Sequence, residues 1–600
     1  MSATVVQVGK IAQLAFITGK LGLRHLCPAL GCCTAGRGTA LETTGDLVHE
    51  GWISAVALNG EVEAVGLLRA LTGSQAIRRL DVPVATMLPA LLRQLLLPVV
   101  LDALGAPRSR REWGERFTRG RFSPEEIEHL THYLTRRHGD RFRLFDVERP
   151  FGQVAGLTAL SGDVKPATLL VPSVASGNNV PLFSAFSEAD HLDLTAAQAA
   201  LWLVHVQCWD TAAIKTGAVG DPQAKVGKTT GNPTGPLGQL GVIVPSGRTL
   251  YETLLLNTPV RPDGLEGTDR PQWAWDERPV SLGWKSPASP KWSARPAGGL
   301  LDVLTFQSRR IRLIGEDTGQ GVRVRQVVVC AGDRLAQTPE TDPHTAWNHT
   351  AKPKPGQPPR RPRRHMSGRA AWQGLGALLA LALPEDSDGP YTSLLLRQIG
   401  DLRADGALLA DYPLGVETCA LEYGNQSAVV ENALADTLPL PVVSLVAGDD
   451  WLRAALLECV EQADRTGRAL DGLHADLRRA AGGDPLPRDK GERPSARFLH
   501  TVDTSMRRLL AGLRTIGEDY DLLEQAQRAW ELTLLRAAVR EADILLAAVP
   551  ARAVVGRTEK LNGKDVVFRS GKATGMFRKR VSEILPRAVE APAVQEVGAA

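Results

Sequence analysis

The feature that most constrains the fold of this 600-residue chain is a change in patterning near residue 449. Beyond it, apolar residues recur at helical spacing through 451–481, 496–516, 520–549 and 576–585. Leu509, Leu513, Ile516 and Tyr520 share one face, and Leu523, Trp530 and Leu534 another. Long amphipathic helices with short joins bury their apolar stripes only against each other, which predicts an antiparallel four-helix bundle, with the proline-rich stretch 484–494 as one inter-helix loop. Before the break, short strands alternate with helices and with long stretches rich in glycine and proline. The expected class is α+β: a large, loop-rich mixed domain over 46–440, a helical bundle over 441–600, and an N-terminal extension, 1–45, with no assignable role.

Within the first part, alternation on both sides of Asn59-Gly60 predicts a β-hairpin. Leu88, Leu91, Leu92, Leu95, Leu96 and Val99 predict a helix over 84–104, and Ser123-Pro124-Glu125-Glu126 starts another that runs to about Arg137. A helix over 195–208 places His205 and Cys208 in the core rather than as ligands. Strands are expected over 240–244, 301–314 and 321–330, helices over 371–383 and 391–399, and a strand pair over 408–421. That pair delivers the chain to Tyr423-Gly424-Asn425-Gln426-Ser427. Gly424 and Asn425 tolerate positive φ best, so they suit a tight turn that presents Gln426, whose amide is long enough to reach a base edge. Taken alone, the motif is an ordinary hairpin turn.

Two other loops carry polar residues. The run Ser176-Gly177-Asn178-Asn179, flanked by prolines, reads as an exposed loop. The stretch 215–233 is glycine-rich and contains Gly227-Lys228-Thr229. A nucleotide-binding P-loop needs glycine five positions before Gly227, where this chain has Pro222, so an NTP-dependent enzyme is the weaker reading. The stronger one is close backbone approach to a nucleic acid, with Lys225 and Lys228 on phosphates.

Charge supports a polyanionic partner. The formal net charge is only +4, but no acidic residue stands between Asp342 and Glu385, where a proline-rich loop at about 352–369 carries seven basic residues. A second basic cluster runs from Arg552 to Arg580, and a generic RNA-binding or scaffold protein would also carry such clusters. The seven cysteines are irregularly spaced, which fits a reducing cytoplasm and neither a disulfide framework nor a zinc site. No apolar run approaches a membrane span, and Lys20, Arg24 and His25 interrupt the only export-like segment. No catalytic motif, metal site or cofactor site is expected; Asp449-Asp450 reads as a helix cap.

The order of several short motifs resembles the CasA family, the large subunit of the type I-E CRISPR Cascade surveillance complex. They are Leu47-Val48-His49-Glu50-Gly51-Trp52-Ile53, Arg149-Pro150-Phe151-Gly152-Gln153-Val154, Ser176-Gly177-Asn178-Asn179, the glycine-rich loop, Leu304-Thr305-Phe306-Gln307-Ser308-Arg309-Arg310, and Tyr423-Gly424-Asn425-Gln426-Ser427. The resemblance implies a non-catalytic subunit that reads the protospacer-adjacent motif (PAM) of duplex DNA from the minor groove. Gln426 would wedge the duplex open beside it, flanked by Gly424, Asn425 and Ser427. Lys225, Gly227 and Lys228 would approach the groove, and Arg334 stands where relatives place a lysine finger. Ser176 to Asn179 would meet the guide RNA end, and Arg578, Lys579 and Arg580 would hold the displaced strand. Implied partners are the backbone and small Cascade subunits, guide RNA, target double-stranded DNA and a helicase-nuclease.

Overall fold

The structure, a computed structural model, describes residues 45–172, 174, 192–261, 269–274, 292–384, 386–448, 450–487, 491–561 and 563–589. The loop Ser176-Gly177-Asn178-Asn179 lies outside the described residues. Local chemistry dictates many of the element starts. Ile53–Ala57 pairs with Val62–Val65 across the Asn59-Gly60 turn. Ser123 and Thr195 each form a complete capping box, with Glu126 and with Gln198, at the heads of Pro124–His132 and Ala196–Trp209. Ala196–Trp209 is almost wholly buried, and His205 and Cys208 are core residues, each 1% exposed. One helical run, Met87–Leu104, is long and apolar enough to cross a membrane, contrary to expectation, and 78% of it is buried inside the protein. Its middle turn is a π-helix, Leu92–Leu96, that turns Arg93 inward onto both oxygens of buried Asp342, at 2.8 Å each.

Two sheets position the candidate site. In one, Arg309–Asp317 runs antiparallel to Val322–Ala331, which also pairs in parallel with Lys215–Thr216, itself paired with Lys228–Thr229. In the other, Gly415–Tyr423 lies between Val430–Pro439 and Val242–Ser246. In the C-terminal region Trp451–Ala480 packs on Pro494–Gly512, Tyr520–Ala547 and Ser570–Ile584. The last turn, Pro586–Val589, brings Arg587 onto Glu458 and fully buried Glu531, at 2.9 and 2.8 Å. One apolar core runs from the first sheet through these helices.

Several elements differ from expectation. Within 301–314 the chain first makes a helix, Leu300–Leu304, and becomes strand only at Arg309. The carboxylate of Asp269 accepts the amides of Leu301 and Asp302, at 2.7 and 3.0 Å, and so satisfies that helix's free N-terminal donors. The stretch 371–383 is helical only to Leu378, because Thr392 caps the Leu378 carbonyl through its hydroxyl and takes the Ala380 carbonyl through its amide. Tyr391 ends a short strand, and its helix starts at Leu394, capped by Ser393. The basic stretch after Asp342 is partly ordered, with Arg360–Pro362 paired to Trp347–His349. Asp450 heads its helix without a capping bond and pairs with Arg453 instead. A hairpin, Arg557–Leu561 with Lys564–Phe568, interrupts the helical region where patterning predicts none.

Candidate nucleic-acid interface

The strand pair expected before Tyr423 is instead a hairpin astride the motif, with Gly415–Tyr423 and Val430–Pro439 meeting at Gly424 to Val429. Its reversal is closed by Gly424 N–H on the Val429 carbonyl at 2.9 Å, which keeps Gly424 on the ladder side with φ −77°. The left-handed residues are therefore at the apex, Gln426 (φ 52°) and Ser427 (φ 55°), rather than Gly424 and Asn425. Asn425 and Gln426 are exposed at this apex.

Three contacts hold this apex. The Tyr423 hydroxyl donates to the Trp209 carbonyl at 2.6 Å, Ala212 N–H donates to the Ser427 carbonyl at 2.7 Å, and Gly238 leaves room for the Tyr423 ring. Burial raises the Tyr423 phenol far above its ordinary value, so it is a permanent donor. Tyr423→Phe leaves the Trp209 carbonyl unsatisfied. It should cost about 1 kcal/mol in denaturant unfolding and speed amide exchange at the tip.

The glycine-rich stretch forms a second hairpin. Lys225 and Lys228 exchange both backbone hydrogen bonds, at 2.8 and 3.0 Å, around Val226 (φ 50°) and Gly227 (φ 73°), a two-residue turn with both central φ positive. Lys225 and Lys228 are exposed on either side of the tip. Gly227-Lys228-Thr229 thus enters a returning strand and not a helix, so its amides do not form the phosphate cradle of a nucleotide site. Arg334 closes the base of this hairpin: it donates to the Thr230 carbonyl at 2.7 Å and Asn232 Oδ1 at 3.3 Å, and its guanidinium lies 3.7 Å from the Trp292 ring centroid.

Both hairpins rest on one strip, 210–216. Ser427 reaches it at Ala212, and Asn232 reaches it by donating to the Ala213 carbonyl at 3.2 Å. Lys228–Thr229 pairs with its end. Beneath the strip Asp210 takes Lys215 Nζ at 2.7 Å and Arg309, and Arg309 also donates to the carbonyls of Thr211 and Pro233, at 2.9 and 2.8 Å. Burial would raise the Asp210 carboxyl, but Lys215 and Arg309 more than offset it and hold the group below its ordinary value. Arg310, on the opposite face of the strand, pairs at 2.6 Å with Asp221 inside the glycine-rich stretch. Arg309 and Arg310 are 2% and 1% exposed, so this basic pair of the Leu304–Arg310 motif is an internal anchor. The available signal was an arginine pair within an apolar strand, where each charge must find a carboxylate. Gln153 is likewise structural, donating to the Leu144 carbonyl and accepting from Leu313 N–H, both at 2.7 Å.

Of the four non-glycine residues with positive φ among the described residues, three lie at these two tips: Val226, Gln426 and Ser427. Such conformations cost about 1–3 kcal/mol each and cluster where a ligand is clamped. Arg578, Lys579 and Arg580 stand elsewhere, exposed on Ser570–Ile584. Among the described residues no three His, Cys, Asp or Glu side chains are grouped to hold a metal ion.

Comparison with known proteins gives a consistent result. Residues 46–541 match the family model described as CRISPR-associated protein Cse1. A Thermus thermophilus protein described as CRISPR-associated protein CasA/Cse1 is 34% identical over 280 residues, 46% of this chain and 50% of that protein, so the chain spans about half the length of that curated relative. The crystal structure of Thermobifida fusca Cse1 superposes with TM-score 0.76 at 31% identity, covering 91% of this chain and 98% of that one. A chain of a structure titled CRISPR RNA-guided surveillance complex shares the fold, with TM-score 0.61 at 19% identity over 84% of this chain and 99% of that one.

Proposed function

This chain belongs to the CRISPR-associated Cse1 family, and we propose that it is the non-catalytic large subunit of a type I-E Cascade complex that reads the PAM of target duplex DNA from the minor groove. The observation that carries this reading is the convergence of two exposed, backbone-strained hairpin tips on one ion-paired strip, with cationic side chains on one tip and a glutamine on the other. Lysines at a narrow tip suit phosphates on both sides of a groove, and backbone at the turn suits its floor. A glutamine at a rigid apex suits a wedge that unstacks the first base pair.

In this reading Lys225, Gly227 and Lys228 dock the duplex, and Arg334 fixes the base of their hairpin and adds charge there. Gln426 opens the duplex with Gly424, Asn425 and Ser427 as its mount. Ser176, Gly177, Asn178 and Asn179 meet the guide RNA end, and Arg578, Lys579 and Arg580 guide the displaced strand. Guide pairing supplies the long sequence specificity, while this subunit reads a short tag and then helps recruit the helicase-nuclease. Because minor-groove edges are degenerate, the PAM preference is tolerant.

The test is binding of the reconstituted complex to PAM-bearing and PAM-scrambled duplexes. Preference for the first supports the role, and equal binding refutes it. Lys228→Ala should weaken all duplexes alike and reduce the slope of log affinity against log salt by about 0.9, as one phosphate contact is lost. An unchanged slope removes Lys228 from the DNA contact.

A further inference from the structure

Val226 is the residue of the glycine-rich hairpin that its own fold does not explain. It is 99% exposed and sits at φ 50°, a left-handed conformation that a β-branched side chain adopts rarely. The turn it occupies favours Asn-Gly, and no packing in the described structure offsets the strain or covers the side chain. The backbone pairing of Lys225 with Lys228 places an exposed lysine on each side of it. An apolar tip between two cations matches a surface that is anionic at its edges and apolar between them. The minor groove of B-DNA is such a surface, about 6 Å wide, with phosphate rims and deoxyribose walls.

We propose that Val226 enters the minor groove beside the PAM and packs on the deoxyribose walls, while Lys225 and Lys228 engage the flanking phosphates. This inference rests on the duplex-reading role above and adds an apolar contact to it. An apolar side chain there reads groove shape and not base identity, so the contact acts alike on every permitted PAM. It is a docking contact, distinct from the opening step assigned to Gln426.

The reconstituted complex should be compared as wild type, Val226→Asn, Val226→Ile and Gln426→Ala, on paired PAM-bearing, paired scrambled and pre-opened targets over a range of salt. Asn accepts φ 50° more readily, so Val226→Asn should melt at the same temperature as wild type or higher. Its affinity for paired PAM-bearing DNA should nevertheless fall about tenfold, the loss of one buried apolar side chain, with an unchanged salt slope. Val226→Ile, which keeps both strain and apolarity, should stay within about twofold of wild type. If Val226→Asn binds paired DNA as wild type does while Gln426→Ala is defective, Val226 makes no such contact and the duplex-reading role stands. Loss in Val226→Ile equal to that in Val226→Asn also overturns the apolar contact. Wild type that does not distinguish PAM-bearing from scrambled DNA overturns both readings.

Discussion

Gln426→Ala should slow opening of a fully paired PAM-bearing target by about 10–100-fold, since unstacking a base step costs a few kcal/mol and each 1.4 kcal/mol is a factor of ten. Initial docking should change little, because Lys225 and Lys228 lie on the other hairpin. A target with its first base pairs already mismatched should restore the variant to the wild-type rate. Stopped-flow fluorescence from 2-aminopurine beside the PAM separates the two steps. Should the pre-opened target fail to rescue Gln426→Ala, the glutamine is not a wedge. The rigidity of its mount makes the effect large: a floppy glutamine would lose in ordering entropy what it gained at the base step, whereas here Tyr423 and Ser427 tie the apex to Trp209 and Ala212.

Asp210→Ala should destabilise the protein by about 3–5 kcal/mol, the usual cost of stranding buried charge, because Lys215 and Arg309 then share no carboxylate. Urea unfolding measures it, and a loss under about 1 kcal/mol would show that the triad is no anchor. DNA binding should fall with it, since both hairpins stand on this strip. The pH dependence follows from the direction of the Asp210 shift. Its folded-state value is below the ordinary 3.8, so its charge contributes stability that is fully present above the unfolded-state value and is lost as pH falls through the folded-state one. Acid unfolding of the wild type should therefore steepen below about pH 4, and Asp210→Asn should flatten that limb.

How far these sites were legible in the sequence depends on the distance over which each interaction acts. The Asn59-Gly60 turn, the helix start at Ser123-Pro124 and the long helices beginning near Trp451, Pro494 and Tyr520 are legible because their determinants lie within a few residues, whereas the last helix begins at Ser570 and not at Met576, after a hairpin that periodicity does not announce. The Gly-Asn-Gln motif is legible as a turn, but its positive φ angles fall two residues later than the residue types suggest, at Gln426 and Ser427. That shift arises because the ladder register, set by pairing over 415–439, decides which residue is the apex. The helix Leu300–Leu304 was missed because its start is satisfied by Asp269, 32 residues earlier in the chain.

What the sequence by itself determined is the class and the inventory: an α+β part before a helical part, two loops able to turn sharply, and two clusters of basic residues. Only the tertiary structure decided that the Gln426 and Lys228 hairpins share a footing, and that Arg309 and Arg310 are buried anchors. The reason is physical. Periodicity, caps and turns are short-range and repeat along the chain, whereas Arg309 meets Asp210 across 99 residues and Arg310 meets Asp221 across 89. No local pattern specifies which carboxylate a buried guanidinium will find, and that choice sets where both tips stand.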